Sequence, residues 1–239
     1  MSNPDLQINH FFSTPVMILT DNNYEANVDQ LLQEIYEWRD SDTVDLVRSN
    51  HGGWHSPTDI FKTQKPGLRR VCKLMVECFT RSTKQVAPEF SSEAYDMKGE
   101  GWVNINPQHG FNVPHDHPGY TWSGVYYVKL PEKLNKDSRS GSIELLDPRT
   151  NVSAMASDIA RKSLYFSPKR TLNPVNGMIL IFPSYLRHWV YPNEEPEDRI
   201  SMAFNFKFWP KVLSEPPKEP PAVLSAKSNK GPKKKKKKG

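Results

Sequence analysis

The stretch VPHDHPGYTWSGVYYVKLP, residues 113–131, joins two signals that decide the fold. Its first part sets two imidazoles, His115 and His117, two positions apart inside a predicted strand, Val113–His117. Alternate residues of a strand face the same side, so both rings can enter one pocket while Asp116 points away. Pro118-Gly119 then marks a turn, and Thr121–Leu130 reads as a second strand, rich in β-branched and aromatic residues. Outward from this hairpin the same texture repeats. Trp102–Asn106, Ser142–Leu146, Ser163–Phe166, Met178–Phe182, Trp189–Tyr191 and Ile200–Phe208 are short apolar or alternating runs separated by Gly, Pro and Asn. Eight such strands predict an antiparallel sandwich or barrel, the jelly roll included.

The N-terminal third reads differently. Val28, Leu31, Leu32, Ile35 and Trp38 mark one face of a helix, with Asn22 or Asn23 as its cap. Leu68, Val71, Cys72, Met75, Val76 and Phe79 mark a second helix, with Pro66 near its start. Between them lies the loop SNHGGWHSP, whose His51 and His55 are polar loop residues or, less simply, metal ligands. Cys72 and Cys78, the chain's two cysteines, lie on different faces of the second helix. They read as small core residues in a reducing setting, and the cytoplasm is the expected location. The apolar runs fall well short of the ~20 residues of a membrane span. The N-terminus lacks the basic and apolar regions of a secretory signal, and no glycine-rich nucleotide motif occurs.

Net charge is +5 over 239 residues, but its distribution is uneven. Residues 210–239 hold ten lysines, two glutamates and six prolines, a net of +8, leaving −3 for the remainder. This composition predicts a disordered Pro/Lys-rich tail following a domain of residues 1–209. Within that domain a helical part covers about 22–90 and a jelly roll about 94–209. The six lysines Lys233–Lys238 suit weak electrostatic contact with nucleic acid or another anionic surface, or serve only solubility.

A divalent metal needs a third ligand beside His115 and His117. The best placed is His188, in FPSYLRHWVYP after the apolar run NGMILIFP. Arg199 and Ser201 share a face if 200–208 is a strand, and a guanidinium fork with one hydroxyl suits a small carboxylate. Pairing of Arg199 with Asp198 or Glu197 is the plainer alternative. Asn106, His109, Asn112 and Asn205 are further polar candidates, and Trp102, Tyr120 and Trp122 could line a cleft or fill the core.

Together VPHDHPGYTWSGVYYVKLP, GSIELLDPR, NGMILIFPSYLRHWVYPN and EDRISMAFNF, with SNHGGWHSPTDIF and WVNINPQHGFN, resemble an iron(II)/2-oxoglutarate-dependent oxygenase family of marine bacteria and their phages, in the prolyl-hydroxylase-like superfamily. The resemblance runs from about residue 8 to 209. It implies a mainly β protein with N-terminal helices, a double-stranded β-helix holding iron(II) near its open end. It also implies a dioxygenase, and a hydroxylase in particular, that couples decarboxylation of 2-oxoglutarate by O2 to substrate oxidation. His115 matches the first metal ligand, His188 the distal one, and Arg199 with Ser201 the site for the far carboxylate of 2-oxoglutarate. Tyr127 matches a tyrosine that bonds the same carboxylate in related prolyl hydroxylases. The superfamily's acid two positions after the first ligand is absent. Either His117 completes a three-histidine site, or Asp116 supplies a carboxylate from a distorted strand. Two other functions fit the residues: a three-histidine, cupin-like dioxygenase needing no 2-oxo acid, and a non-catalytic jelly-roll virion or adaptor protein with a basic attachment tail.

Overall fold

The structure is a computed structural model that describes residues 7–44, 46, 48–149 and 165–211. Among these residues eleven strands form two antiparallel sheets. In chain order they are β1 (Met17–Thr20), β2 (Asn50–His51), β3 (Trp54–His55), β4 (Tyr95–Asn106), β5 (Phe111–His115), β6 (Trp122–Lys129), β7 (Ile143–Leu146), β8 (Lys169–Leu172), β9 (Met178–Pro183), β10 (His188–Val190) and β11 (Arg199–Pro210). The major sheet runs β1-β9-β6-β11-β4-β3 and the minor sheet β2-β5-β10-β7-β8. The two sheets form a double-stranded β-helix. Helices α1 (Val28–Ser41) and α2 (Pro66–Val86) complete the fold.

Period-two alternation sorts the major sheet's side chains between two cores. Val103, Ile105, Tyr126, Ile200, Met202, Phe204 and Phe206 face outward and pack with Leu68, Val71, Met75 and Phe79 of α2. Tyr127, Leu180 and Phe182 face inward and meet Ile143, Leu145 and Val190 of the minor sheet. The α2 helix lies so close that a Cβ on Gly124 would come within 2.7 Å of the Phe79 ring. Glu34 of α1 secures the start of α2: the Gly67 and Leu68 N–H groups each donate to its carboxylate at 2.9 Å. This is a charged cap on a helix whose Pro66 sits at its first turn. Buried Asp21 accepts from Arg70 of α2 at 2.7 Å and from the Tyr126 hydroxyl at 2.8 Å, tying helix to sheet.

Seven of the eight expected strands are present, with shifted ends. The eighth, expected at Ser163–Phe166, is not seen: residues 165–166 form a turn, residues 163–164 lie outside those described, and the strand is Lys169–Leu172. β1 went unread, and so did the short β2–β3 pair inside the presumed loop, which Gly52 turns at φ +69°. Asn27, not Asn22 or Asn23, precedes α1, and its side chain makes no cap bond. Both cysteines are free and buried, and burial pushes the Cys72 thiol up to about 12. β11 extends through Pro210, and residues 212–239, including the lysine run, lie outside the described residues. No helix among the described residues is long and apolar enough to cross a membrane.

Candidate metal and co-substrate site

His115 ends β5 and His188 begins β10, and the register pairs them directly across the two strands. Such partners point to the same side, and their rings lie 4.4 Å apart between centroids. His117 arrives by a different route than expected. β5 stops at His115, so His117 lies beyond the strand, in the turn, where its backbone N–H donates to Ser184 O at 3.0 Å. That bond folds the turn back, bringing the His117 ring to 4.9 Å from His115 and 5.3 Å from His188. One nitrogen from each of the three rings lies within 4.8 Å of the others. Nitrogens on one face of an ion at about 2.1 Å sit ~3 Å apart, so the rings would draw together by up to about 2 Å to share one. Asp116 is exposed and outside this group.

The tautomers follow from the carbonyls beside the rings. His115 Nδ1 lies 2.7 Å from Val113 O, and His188 Nδ1 lies 2.9 Å from Leu186 O. A carbonyl only accepts, so both Nδ1 atoms carry the proton and each Nε2 keeps its lone pair for an ion. Burial, reinforced by the neighbouring imidazoles, pushes His188 down to about 3 and His117 down to about 4. Burial lowers His115 as well. All three rings are thus neutral near pH 7, as ligation requires.

These depressed values have a stability consequence with a definite sign. A histidine held neutral in the fold but titrating near 6.5 when unfolded contributes stability above pH 6.5 and loses it as pH falls toward its folded value. For metal-free protein, unfolding in urea at pH 7 and pH 5 should differ by about 2–4 kcal/mol, from ~1.4 kcal/mol per unit for His117 and His188. In His188→Gln the difference should shrink by about half, and an unchanged difference would exclude His188 as a source.

The other half of the site lies on β11, where the inner positions are Arg199, Ser201, Ala203 and Asn205. Their partners across β4 are Asn106, Asn104, Trp102 and Glu100. Arg199 is 1% exposed. Its Nε donates to Gly141 O at 3.0 Å and its Nη1 to Ser201 Oγ at 3.2 Å, both neutral oxygens. Gly141 must be glycine, at φ +63° with Arg199 Cδ 3.1 Å from where a Cβ would stand. The Tyr127 ring lies 5.5 Å from the guanidinium carbon, and its hydroxyl is buried without a hydrogen-bond partner. Burial raises Tyr127 to about 12, so it remains a phenol able to donate. A buried cation beside an orphaned hydroxyl is costly unless an anion arrives. Arg199, Ser201 and Tyr127 offer it three kinds of donor. The expected pairing of Arg199 with Asp198 or Glu197 does not occur: Asp198 faces Arg39 and Tyr36, and Glu197 faces Lys129.

The two halves face each other. Trp102 of the major sheet lies 5.8 Å from the His117 ring, and Phe182 lies 4.8 Å from His188. The histidines therefore stand opposite the Trp102–Ala203 and Ser123–Asn205 levels, one or two side-chain steps of ~6.8 Å from Ser201. Ala203, with only a methyl, leaves the groove open between the halves.

Residues 100–205 match the model of the family described as "Putative 2OG-Fe(II) oxygenase". Over this segment the chain is similar to the 2OG-Fe(II) oxygenase family. It is an oxidoreductase, a dioxygenase whose cofactors are iron(II), 2-oxoglutarate and O2. No curated protein matches by sequence. Among solved structures, a prolyl-4-hydroxylase of Pseudomonas putida is 13% identical, with a TM-score of 0.52 over 82% of this chain and 93% of its own. A Trichoplax adhaerens prolyl hydroxylase, solved with a hypoxia inducible factor peptide, is 12% identical, with a TM-score of 0.52 over 80% and 83%. The α-ketoglutarate-dependent carbocyclase SnoK of nogalamycin biosynthesis is 11% identical, with a TM-score of 0.53 over 81% and 80%. At these identities the likeness is one of fold.

The remaining candidates divide. Asn106 and Asn112 are buried at the site and bonded to each other at 3.1 Å. Asn205 accepts from Ser123 Oγ at 2.7 Å. His109 is exposed at a turn with φ +68°, away from the site. Trp122 faces outward and donates to Thr83 of α2 at 2.9 Å, so it is core. His51 stacks on Phe111 and His55 on Trp102, and neither joins the histidine group. Sequence reading missed Asn104, whose buried Oδ1 has no partner, and Glu100. Alternation through GEGWVNIN places both on the face of Trp102 and Asn106, and that was the available signal.

Proposed function

We propose that His115, His117 and His188 hold iron(II) and that Arg199, Ser201 and Tyr127 grip the far carboxylate of 2-oxoglutarate, in an enzyme that hydroxylates its substrate. The supporting observation is the buried Arg199 guanidinium, bonded only to neutral oxygens beside the unpartnered Tyr127 hydroxyl, on the face opposite three neutral imidazoles. When bound, the metal and 2-oxoglutarate use O2 to form succinate and carbon dioxide, one oxygen atom entering succinate and the other the substrate. The chain's own contributions are binding and exclusion of water. Val113 and Leu186 carbonyls fix the Nε2 lone pairs of His115 and His188. Ser201 accepts from Arg199, which leaves its own hydroxyl proton to donate to the co-substrate. Phe182, Trp102 and Val125 line the groove with apolar surface.

Three neutral ligands leave the site one unit more positive than two histidines and a carboxylate would. This favours tight holding of an anionic co-substrate. The buried free thiols Cys72 and Cys78 support a cytoplasmic location as part of the same proposal, and Lys233–Lys238 suit weak contact with nucleic acid or another anionic surface. The test is calorimetry and product analysis on purified full-length protein. Iron(II) and 2-oxoglutarate should each bind near one per chain, and succinate should form slowly even without substrate. Protein that binds neither 2-oxoglutarate nor iron(II) would end the proposal.

A further inference from the structure

Past the histidines, toward Asn205, the inner face ends in an acid with no counter-charge. The carboxylate of Glu100 accepts from Asn205 Nδ2 at 3.1 Å and has the Tyr120 hydroxyl nearby, both neutral groups. Other acids among the described residues vary, and buried Glu195 likewise forms no ion pair, accepting from the Leu134 N–H at 3.3 Å. Asp21 faces Arg70, Glu144 faces Lys169, Asp147 faces Arg149, and Glu34 caps α2. Glu100 has no cationic partner among the described residues.

Its surroundings are aromatic. Trp102 lies two positions on, on the same strand face, with its ring 5.8 Å from His117. His55 stacks on that indole at 5.4 Å and nearly parallel, fixing the ring without bonding it. Tyr120, just after the open Gly119 turn, is the second aromatic residue near the carboxylate. An acid flanked by two aromatic rings is a setting for an organic cation.

The size of the cavity says where that cation would sit. The centre of a water molecule can range over about 40 Å³ between the histidines and Arg199. At 10–15 Å³ per water this holds roughly three waters, so the space is narrow. Asn205 lines this cavity and Glu100 lies just beyond it, bonded to Asn205, so a co-substrate filling the cavity would leave the Glu100 side for the primary substrate. Within the groove, Asn104 is 6% exposed and its Oδ1 has no partner, so a donor is also missing from the inner wall.

We infer that Glu100, Trp102 and Tyr120 form the primary-substrate subsite, and that it selects an ammonium or guanidinium group on an unbranched chain, as in a lysine or arginine side chain. Glu100 supplies the charge, Tyr120 orients its carboxylate, and the Trp102 face covers the methylene stem beside His117. This inference rests on the oxygenase reading, which the following experiment tests separately.

Full-length protein loaded with manganese(II) and 2-oxoglutarate is titrated in a calorimeter with acetyl-Gly-Lys-Gly-amide, acetyl-Gly-Arg-Gly-amide and the norleucine analogue, which matches the lysine stem without its charge. Free n-butylamine distinguishes a small amine from a peptide side chain. The cationic peptides should bind at least tenfold more tightly than the norleucine peptide, with the advantage falling as salt rises. Glu100→Gln should reduce the advantage to under threefold while 2-oxoglutarate still binds. If Glu100→Gln does not fold, Glu100→Asp, which keeps the charge but withdraws it, should give an intermediate preference. Preferential binding of butylamine over both peptides places the cation on a small molecule and keeps the subsite. Normal 2-oxoglutarate binding with no preference for cations overturns this inference alone. Failure to bind 2-oxoglutarate overturns the oxygenase reading, and this inference falls with it.

Discussion

Arg199→Ala is expected to weaken 2-oxoglutarate binding by about 10²–10³-fold while metal still binds near one per chain. The size comes from the setting. Removing one partner from a buried, hydrogen-bonded charge pair costs about 3–5 kcal/mol, and 1.4 kcal/mol is tenfold. Arg199 is fully enclosed, so solvent cannot screen the lost charge, and the side chains it meets in the groove, Tyr127 and Ser201, are neutral. Arg199→Lys should recover only part of the loss, because an ammonium cannot repeat the fork that reaches Gly141 O and Ser201 Oγ together. Tyr127→Phe should cost less, about tenfold, since it removes one neutral donor. Calorimetry with 2-oxoglutarate, beside metal analysis of the same samples, reads all three. If Arg199→Ala binds 2-oxoglutarate as the unaltered protein does, the carboxylate site lies elsewhere, and a dioxygenase without a 2-oxo acid becomes the better description.

What the sequence disclosed about this fold followed from period. Strands with a core face on both sides, such as MILIF at 178–182, stand out as unbroken apolar runs. Two-residue strands such as Asn50–His51 have no period to detect, and they exist because β5 and β4 offer their edges. Arg199 and Ser201 were correctly placed on one face because β11 is regular there. The β-bulge opposite them lies in β6, where Tyr127 and Lys129 take adjacent partners on β11. His117 shows the opposite case. Its convergence with His115 was read from strand alternation, yet the strand ends at His115, and a single turn hydrogen bond to Ser184 swings His117 inward. Tertiary contacts between loops leave no periodic trace, so this was reachable only from the structure. Trp122 was open between cleft and core: alternation puts it on one face, but its register against β11 was needed to establish that this face is the α2 side.

The same turn makes the metal ligands separable by substitution. His188→Ala and His117→Ala should each weaken metal binding by a few hundredfold, and Asp116→Asn should leave it unchanged. A structural site of four ligands is worth about 10–16 kcal/mol, so one ligand contributes ~3–4 kcal/mol. His188 should show the full loss: it is 5% exposed, in β10, with its Nδ1 already committed to Leu186 O. His117 is the sharper test, since it decides between three imidazoles and a pair with one carboxylate. His117→Asp, which restores the acid two positions after the first ligand, should retain metal where His117→Ala loses it. With a carboxylate in place the site is one charge less positive, so 2-oxoglutarate should bind the metal-loaded His117→Asp variant more weakly than the unaltered protein. Inductively coupled plasma analysis of dialysed samples, paired with circular dichroism to verify folding, measures the metal. If Asp116→Asn loses its iron and His117→Ala keeps it, the ligand assignment is reversed and the turn must open to let the carboxylate inward.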